Sequence, residues 1–204
     1  MKKVSHKKIT TIRNKPSRKQ AEEAVKTLIK WAGDNPEREG LLETPKRVVN
    51  SYKEFFSGYD SKPEQILSKT FDEVEGYDEM VIVRDIAIES HCEHHMVPFI
   101  GIAHIGYIPN KRIVGISKLA RIADVFAKRL QTQEIMTAQI ADTINEVLKP
   151  KGVAVVIDAQ HQCMTTRGTH KTESSTITSR MLGLFRTNSN TRNEFMNLIN
   201  SVNS

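Results

Sequence analysis

Cysteine and histidine, two residue types that bind transition metals, are concentrated in one short polar segment of the sequence. Cys92 and His95 are separated by two residues, a spacing that lets one tight turn present a thiolate sulfur and an imidazole nitrogen to the same ion. His91, Glu93 and His94 lie in the same segment, which therefore holds more donors than one zinc ion uses. His91 and His94 are either spare ligands or surface residues, and Glu93 is an alternative carboxylate ligand.

A third ligand is predicted at the end of a later strand. Because successive side chains of a strand point to opposite faces, the pattern over residues 153–164 places four apolar residues, His161 and Cys163 on one face. Cys163 can then complete a Cys/His/Cys set, with His161 beside it and not bound to the metal. Three protein ligands leave a fourth coordination position open, as in catalytic zinc sites. The alternative is an ordinary buried cysteine next to a core histidine.

Positive charges that could hold an anion gather in another part of the sequence. Ser117 and Lys118 lie at the predicted start of a helix, with Arg121 one turn later, and the amides and dipole of a helix N-terminus favour an anion. Arg167, four residues after Cys163, could bring another cation to the same cleft. Taken singly, such residues are usually solvated cations. Together they predict a triphosphate-binding site beside the metal.

The elements that must position these residues follow from the periodicity of the apolar side chains. Ser17 and Gln20 form a capping box that begins one helix. Thr44-Pro45 begins another, and Ser117 is predicted to cap a third. The other predicted elements are strands over residues 80–88, 99–108, 153–164 and 174–181, a loop over 90–98, and helices over 133–148 and 191–199. This order predicts an α+β fold with an antiparallel sheet.

The charge of the 204-residue chain is unevenly distributed. The net charge is +6, yet residues 1–19 hold eight Lys or Arg and no acidic residue, so 22 basic and 24 acidic residues, a net charge of −2, remain for the rest. Residues 1–16 are therefore expected to form a flexible, solvated basic arm. The folded body is not basic enough to predict nucleic-acid binding.

Composition also limits the compartment and the redox chemistry. No apolar run reaches the roughly 18 residues of a membrane span, and no apolar stretch typical of a secretory signal begins the sequence. A cytoplasmic protein without a membrane partner is expected. Cys92 and Cys163 are the only cysteines, which excludes a disulfide scaffold and leaves one bridge, two free thiols or a metal site. In a reducing compartment the bridge is the least favoured of the three.

Several ordered motifs of the sequence closely resemble those of type I GTP cyclohydrolase. The resemblance covers nearly everything after the basic arm, and so many motifs at consistent spacing make it very specific. The matching segments are Glu43-Thr44-Pro45-x-Arg47, Ser90-x-Cys92-Glu93-His94-His95, Val97-Pro98-Phe99, Gly106-Tyr107-Ile108-Pro109-Asn110, Gly115-Ile116-Ser117-Lys118-Leu119-Ala120-Arg121, Leu130-Gln131-Thr132-Gln133-Glu134, His161-Gln162-Cys163-Met164, Arg167-Gly168 and Thr191-Arg192-x-Glu194-Phe195.

The resemblance implies a tunnelling fold, in which an antiparallel four-stranded sheet carries two helices on one face. It places the catalytic domain at residues 77–204, after an N-terminal helical segment over 17–76, with 17–204 as one structural unit. It also implies a homodecamer with active sites between subunits and one Zn²⁺ per subunit. The implied reaction converts GTP and water to formate and 7,8-dihydroneopterin triphosphate, the first step of tetrahydrofolate biosynthesis.

By the same resemblance, individual residues acquire expected roles in zinc binding, catalysis and substrate binding. The expected zinc ligands are Cys92, His95 and Cys163. The expected catalytic residues are His94, His161 and Ser117. The expected guanine anchor is Glu134 with Gln133 beside it, and the other expected substrate contacts are Lys118, Arg121, Arg167 and Arg47.

Three rival functions are weighed against this one. A tunnelling-fold relative acting on another purine or pterin would commonly lack the complete Cys/His/Cys set. A nucleic-acid-binding protein with a structural zinc would need a fourth protein ligand and a basic folded surface. An inactive scaffold is disfavoured because the matched site residues are intact.

Overall fold

The structure is a computed structural model that describes residues 14–68, 70–71 and 76–201. Residues 1–13 of the predicted basic arm lie outside the described residues. The chain divides into two compact units, with the boundary between Phe56 and Ser57. The assignment of residues 17–76 and 77–204 to a helical segment and a catalytic domain stays a prediction.

The N-terminal unit contains two helices, α1 (Arg18–Trp31) and α2 (Thr44–Phe55), with a short 3₁₀ turn at Glu39–Leu41 between them. The predicted capping box is confirmed, because the Ser17 hydroxyl accepts a hydrogen bond from the Gln20 amide and the Gln20 side chain accepts one from the Ser17 amide. Pro45 lies in the first turn of α2, where a backbone N–H has no partner within the helix, so the missing N–H of proline costs no hydrogen bond.

The second unit holds a sheet and the helices that pack on it. Its longer elements are β2 (Val81–Cys92), β3 (Pro98–Ile108), α4 (Ile116–Ala127), α5 (Gln133–Leu148), β6 (Gly152–His161), β7 (Thr176–Gly183) and α8 (Ser189–Asn200). Its shorter elements are α3 (Pro63–Leu67), β1 (Thr70–Phe71), β4 (Ile113–Val114), β5 (Leu130–Gln131), α6 (Gln162–Thr165) and α7 (Leu184–Thr187), with a 3₁₀ turn at Ser57–Asp60. Among the residues that the structure describes, no helix is long and apolar enough to cross a membrane.

The main sheet has the strand order β5-β2-β3-β6-β7, and its four long strands are antiparallel. The predicted α+β class is confirmed. The sheet has five strands rather than the expected four, because the two residues of β5 pair in parallel with the end of β2. Strands β1 and β4 form a separate antiparallel pair.

The main core lies between one face of the sheet and helices α4 and α5. Its fully buried side chains include Leu119 and Ile122 of α4, and Met136 and Ile140 of α5, which pack with Phe99 of the sheet. The opposite face carries a smaller cluster with Phe195 and Ile199 of α8. Both helices bury one face in this core, which anchors them to the sheet.

Three predicted boundaries are wrong near the proposed chemistry. Strand β2 continues to Cys92, so the polar loop begins at Glu93 rather than at Ser90. Strand β6 ends at His161, so Cys163 lies in the single turn of α6 and not on the strand. Ser117 does not cap α4, because Gly115 is the N-cap residue and Ser117 lies in the first turn.

Candidate metal centre and active site

Three side chains that could hold a metal ion converge at one end of the sheet. The ligand atoms of Cys92, His95 and Cys163 all lie within 4.8 Å of one another, and within the described ranges no other group of histidine, cysteine and acidic residues meets this condition. Cys92 is buried, Cys163 is half-buried and His95 is exposed. Two thiolates and one imidazole are a donor set that suits zinc and leaves one tetrahedral position for water or substrate.

The turn after β2 is shaped by backbone hydrogen bonds. The Cys92 amide donates to Val97 O at 2.9 Å, and the Met96 amide donates to Cys92 O at 2.8 Å, with Met96 in the left-handed region at φ 54°. The Glu93 amide donates to Gln131 O at 2.9 Å, which joins the turn to β5. These bonds bring His95 Nδ1 to 3.9 Å from Cys92 Sγ.

His94 lies beside the same sulfur but is largely in solvent. Its Nδ1 is 3.7 Å from Cys92 Sγ, and 65% of its side chain is exposed. Its ring contacts that of His95 edge to face, with centroids 6.3 Å apart. The exposed imidazole of His94 is therefore in contact with solvent as well as with the candidate ligand group.

Cys163 reaches the group from α6, on the other side of β3. Burial raises the pKa of its thiol, the adjacent Cys92 thiol adds to this shift, and the Arg167 guanidinium opposes it. A thiol must lose its proton to bind a metal. A bound cation would therefore have to stabilise the Cys163 thiolate, which the surrounding protein alone does not favour.

His161, the last residue of β6, is held on two sides. Its ring stacks on Phe99, with the centroids 4.7 Å apart and the planes at 9°, and Phe99 is its cross-strand partner. Its Nε2 lies 2.7 Å from Gln133 Oε1. Burial lowers the pKa of His161, and the negative charge of Glu134 opposes that shift. The neutral ring is thus favoured and its orientation is restricted.

The other predicted site residues occupy the starts of helices or exposed loops. Glu134 lies exposed in the first turn of α5, close enough to act electrostatically on His161. Ser117 and Arg121 are exposed in the first two turns of α4, and Lys118 between them is half-buried.

Two further predicted substrate contacts are Arg167 and Arg47. Arg167 is exposed after α6 and acts electrostatically on Cys163, whereas Arg47 belongs to α2 of the N-terminal unit. The roles of these residues in substrate binding stay predictions.

Two kinds of residue that support the site are not predicted from the sequence. Phe99 was recognised only as part of a motif, although its register with His161 makes it the stacking partner. Thr137 and Thr178, which hydrogen-bond with Gln133, carry no signal in the sequence. Only the i, i+4 spacing of Gln133 and Thr137 on a predicted helix could have suggested a contact.

Comparison with known proteins gives matches over nearly the whole chain. The family model described as GTP cyclohydrolase I matches residues 21–200. The chain is 58% identical over 188 residues to GTP cyclohydrolase 1 of Maricaulis maris, covering 92% of each chain. It is 59% identical over 184 residues to GTP cyclohydrolase 1 of Hyphomonas neptunium, covering 90% of this chain and 89% of the relative. It is 56% identical over 196 residues to GTP cyclohydrolase 1 of Brucella suis, covering 96% of this chain and 92% of the relative.

Proposed function

The chain belongs to the GTP cyclohydrolase I family, and on that premise we propose that it hydrolyses GTP at C8 of the purine, releasing formate and forming 7,8-dihydroneopterin triphosphate. The observation that carries the proposal is the convergence of the Cys92, His95 and Cys163 ligand atoms within 4.8 Å. His161, the proposed acid–base residue, ends β6 two residues before Cys163.

The proposed metal is one zinc ion per subunit, held by Cys92, His95 and Cys163. Their two sulfurs and one nitrogen fit zinc better than they fit magnesium or calcium, which prefer oxygen ligands. When bound, zinc would supply a water molecule of lowered pKa, and hence a hydroxide nucleophile near neutral pH.

Two histidines are assigned the proton transfers. His161 is proposed to protonate N7 of the purine, which makes C8 more electrophilic and opens it to attack. His94, exposed beside Cys92, is assigned the exchange of protons with solvent during the second hydrolysis, which releases C8 as formate.

The substrate is proposed to be held at both ends. Glu134 accepts hydrogen bonds from N1 and the 2-amino group of guanine, a donor pair that adenine does not present, and Gln133 lies beside it. The ribose and triphosphate are assigned to Ser117, Lys118, Arg121, Arg167 and Arg47. Ser117 is proposed to donate a proton to the ribose ring oxygen, which helps the sugar to open before the pterin ring closes.

The larger assembly is proposed from family membership. A tunnelling fold, built on the four long antiparallel strands with α4 and α5 on one face, would assemble into a homodecamer with active sites between subunits. The product would enter tetrahydrofolate biosynthesis. A cytoplasmic location fits a site whose two thiols must stay reduced.

Glu134→Gln is expected to lower kcat/KM for GTP by roughly 10-fold to 100-fold, because hydrogen bonds to a charged group contribute about 1.5–3 kcal/mol. The measurement is steady-state formate release over a range of GTP concentrations. Glu146→Gln is the matched control, since Glu146 is exposed on the same helix but three turns away. Equal kcat/KM in Glu134→Gln and wild type would remove Glu134 from guanine recognition.

The reaction itself is tested by measuring formate release from GTP by the purified protein, with and without a zinc chelator. Formate release that the chelator abolishes and added zinc restores would support the proposed function. Folded, metal-loaded protein that releases no formate would instead favour a tunnelling-fold relative acting on another purine or pterin. Binding of nucleic acid by the folded body, without turnover, would favour the structural-zinc alternative.

A further inference from the structure

Gln133 is buried at the start of α5, with 1% of its surface exposed, and both ends of its side-chain amide are bonded within the chain. Its Nε2 lies 3.0 Å from Ile157 O, 2.7 Å from Thr176 O and 3.1 Å from Thr178 Oγ1. Its Oε1 lies 2.7 Å from Nε2 of His161. The amide therefore joins the first turn of α5 to strands β6 and β7.

Two backbone carbonyl oxygens determine which end of the Gln133 side-chain amide is the NH₂ group and which is the oxygen. A carbonyl oxygen accepts hydrogen bonds and cannot donate them, so the group that faces Ile157 O and Thr176 O must be the amide NH₂. The opposite orientation would place the amide oxygen against two carbonyl oxygens in the interior, where unpaired acceptors are costly. Oε1 must consequently face His161.

Two threonine hydroxyls add a second constraint. Thr137 Oγ1 donates its single proton to Gln133 O at 2.7 Å. The 2.7 Å bond between Thr137 and Thr178 must then use the proton of Thr178, so that Thr178 Oγ1 presents only lone pairs to Gln133 Nε2, 3.1 Å away. Three acceptors thus face the two protons of the amide NH₂, and none of them could donate to an amide oxygen in that place.

We infer that Gln133 is a positioning residue that fixes the tautomer and ring orientation of His161. Because Oε1 can only accept, the 2.7 Å bond requires a proton on His161 Nε2, and in the neutral ring Nδ1 is then the bare nitrogen. Stacking on Phe99 holds the plane of the ring. When the ring takes up a second proton it does so at Nδ1, and this is the proton that passes to purine N7, which returns His161 to the neutral Nε2–H form; for this step the inference rests on the proposed function.

This role differs from the guanine contact predicted for Gln133. Both amide protons are used inside the chain and Oε1 is occupied by His161, so guanine recognition falls to Glu134. A residue that orients a proton donor affects the chemical step, whereas a residue that binds guanine affects KM. Removal of Gln133 should therefore lower kcat and leave KM nearly unchanged.

The tautomer can be read directly by ¹⁵N solid-state NMR on metal-loaded wild-type protein labelled at histidine, with His161→Gln used to assign the signal. The expected spectrum has a protonated Nε2 and a bare Nδ1 at His161. A protonated Nδ1 with bare Nε2 would overturn the inference, even in protein that turns over GTP. If the protein gives the expected spectrum but releases no formate, the inferred tautomer stands and the proposed function is excluded.

The Gln133→Met variant keeps the length of the side chain and removes its acceptor. It is expected to show both tautomers of His161 and a kcat lower by roughly 10-fold to 100-fold, with KM within about twofold of wild type. The control is Gln131→Met, since Gln131 is also buried but bonds Phe126 O and Gln139; its His161 signal should be that of wild type. A raised KM with unchanged kcat, or an unaltered tautomer, in Gln133→Met would overturn the inference. If this variant does not fold, the wild-type spectrum decides.

Discussion

Cys163→Ala is expected to lose the metal and formate release together. Replacing a residue that only hydrogen-bonds to a metal ligand typically lowers metal affinity by roughly 10-fold to 100-fold. Removing a ligand atom should therefore lower it by more than about 100-fold. The remaining Cys92 and His95 belong to one turn, and two ligands from one turn hold an ion weakly. The measurement is metal content per subunit after dialysis, alongside formate release.

A neighbouring variant separates ligand loss from disturbance of the helix. Met164→Ala changes an exposed side chain of the same single-turn helix and should keep both metal and activity. Cys163→Ala protein that stays fully loaded with metal would show that Cys163 is not a ligand.

His161→Ala is expected to keep the metal and lose ring opening. Loss of a positioned general acid typically costs on the order of 10²-fold to 10⁴-fold in rate, and His161 is not among the three converging ligand groups. Metal content close to that of wild type, with formate release reduced by this factor, is the expected result. The assay combines metal analysis with formate release from GTP at saturating concentration.

His170→Ala serves as the matched control, because His170 is an exposed histidine of the following loop and has no assigned role. It should release formate at the wild-type rate. Full activity in metal-loaded His161→Ala would exclude His161 as the general acid. Loss of metal in that variant would indicate that His161 is a metal ligand.

The elements that the sequence predicted well are those with local signals. Helix α5 spans residues 133–148 as predicted, because Thr132 caps it and Lys149 takes the left-handed conformation just before Pro150. The capping box of α1 is equally local, since its hydrogen bonds join Ser17 and Gln20, three residues apart. Such signals need no knowledge of the rest of the chain.

The features that the sequence did not predict depend on distant partners. Strand β5 is too short to show a period and exists because Gln131 pairs with the end of β2. The grouping of Cys92, His95 and Cys163 was predicted from side chains that alternate between the two faces of a strand. That strand ends at His161, so the alternation does not extend to Cys163. The contact between Gln133 and His161 joins residues 28 positions apart, and no periodicity connects a helix start with a strand end.

The separation of the metal ligands along the chain has a consequence for the order in which the protein matures. Cys92 ends β2, His95 lies in the turn after it, and Cys163 follows β6, about 70 residues later in the chain. Because β3 lies between these two strands in the sheet, the three ligands meet only after β3 has paired on both sides. A nascent chain on the ribosome offers the Cys92–His95 pair alone until α4, α5 and β6 have emerged. A metal ion that needs all three ligands is therefore expected to be bound only after β6 has been synthesised and paired.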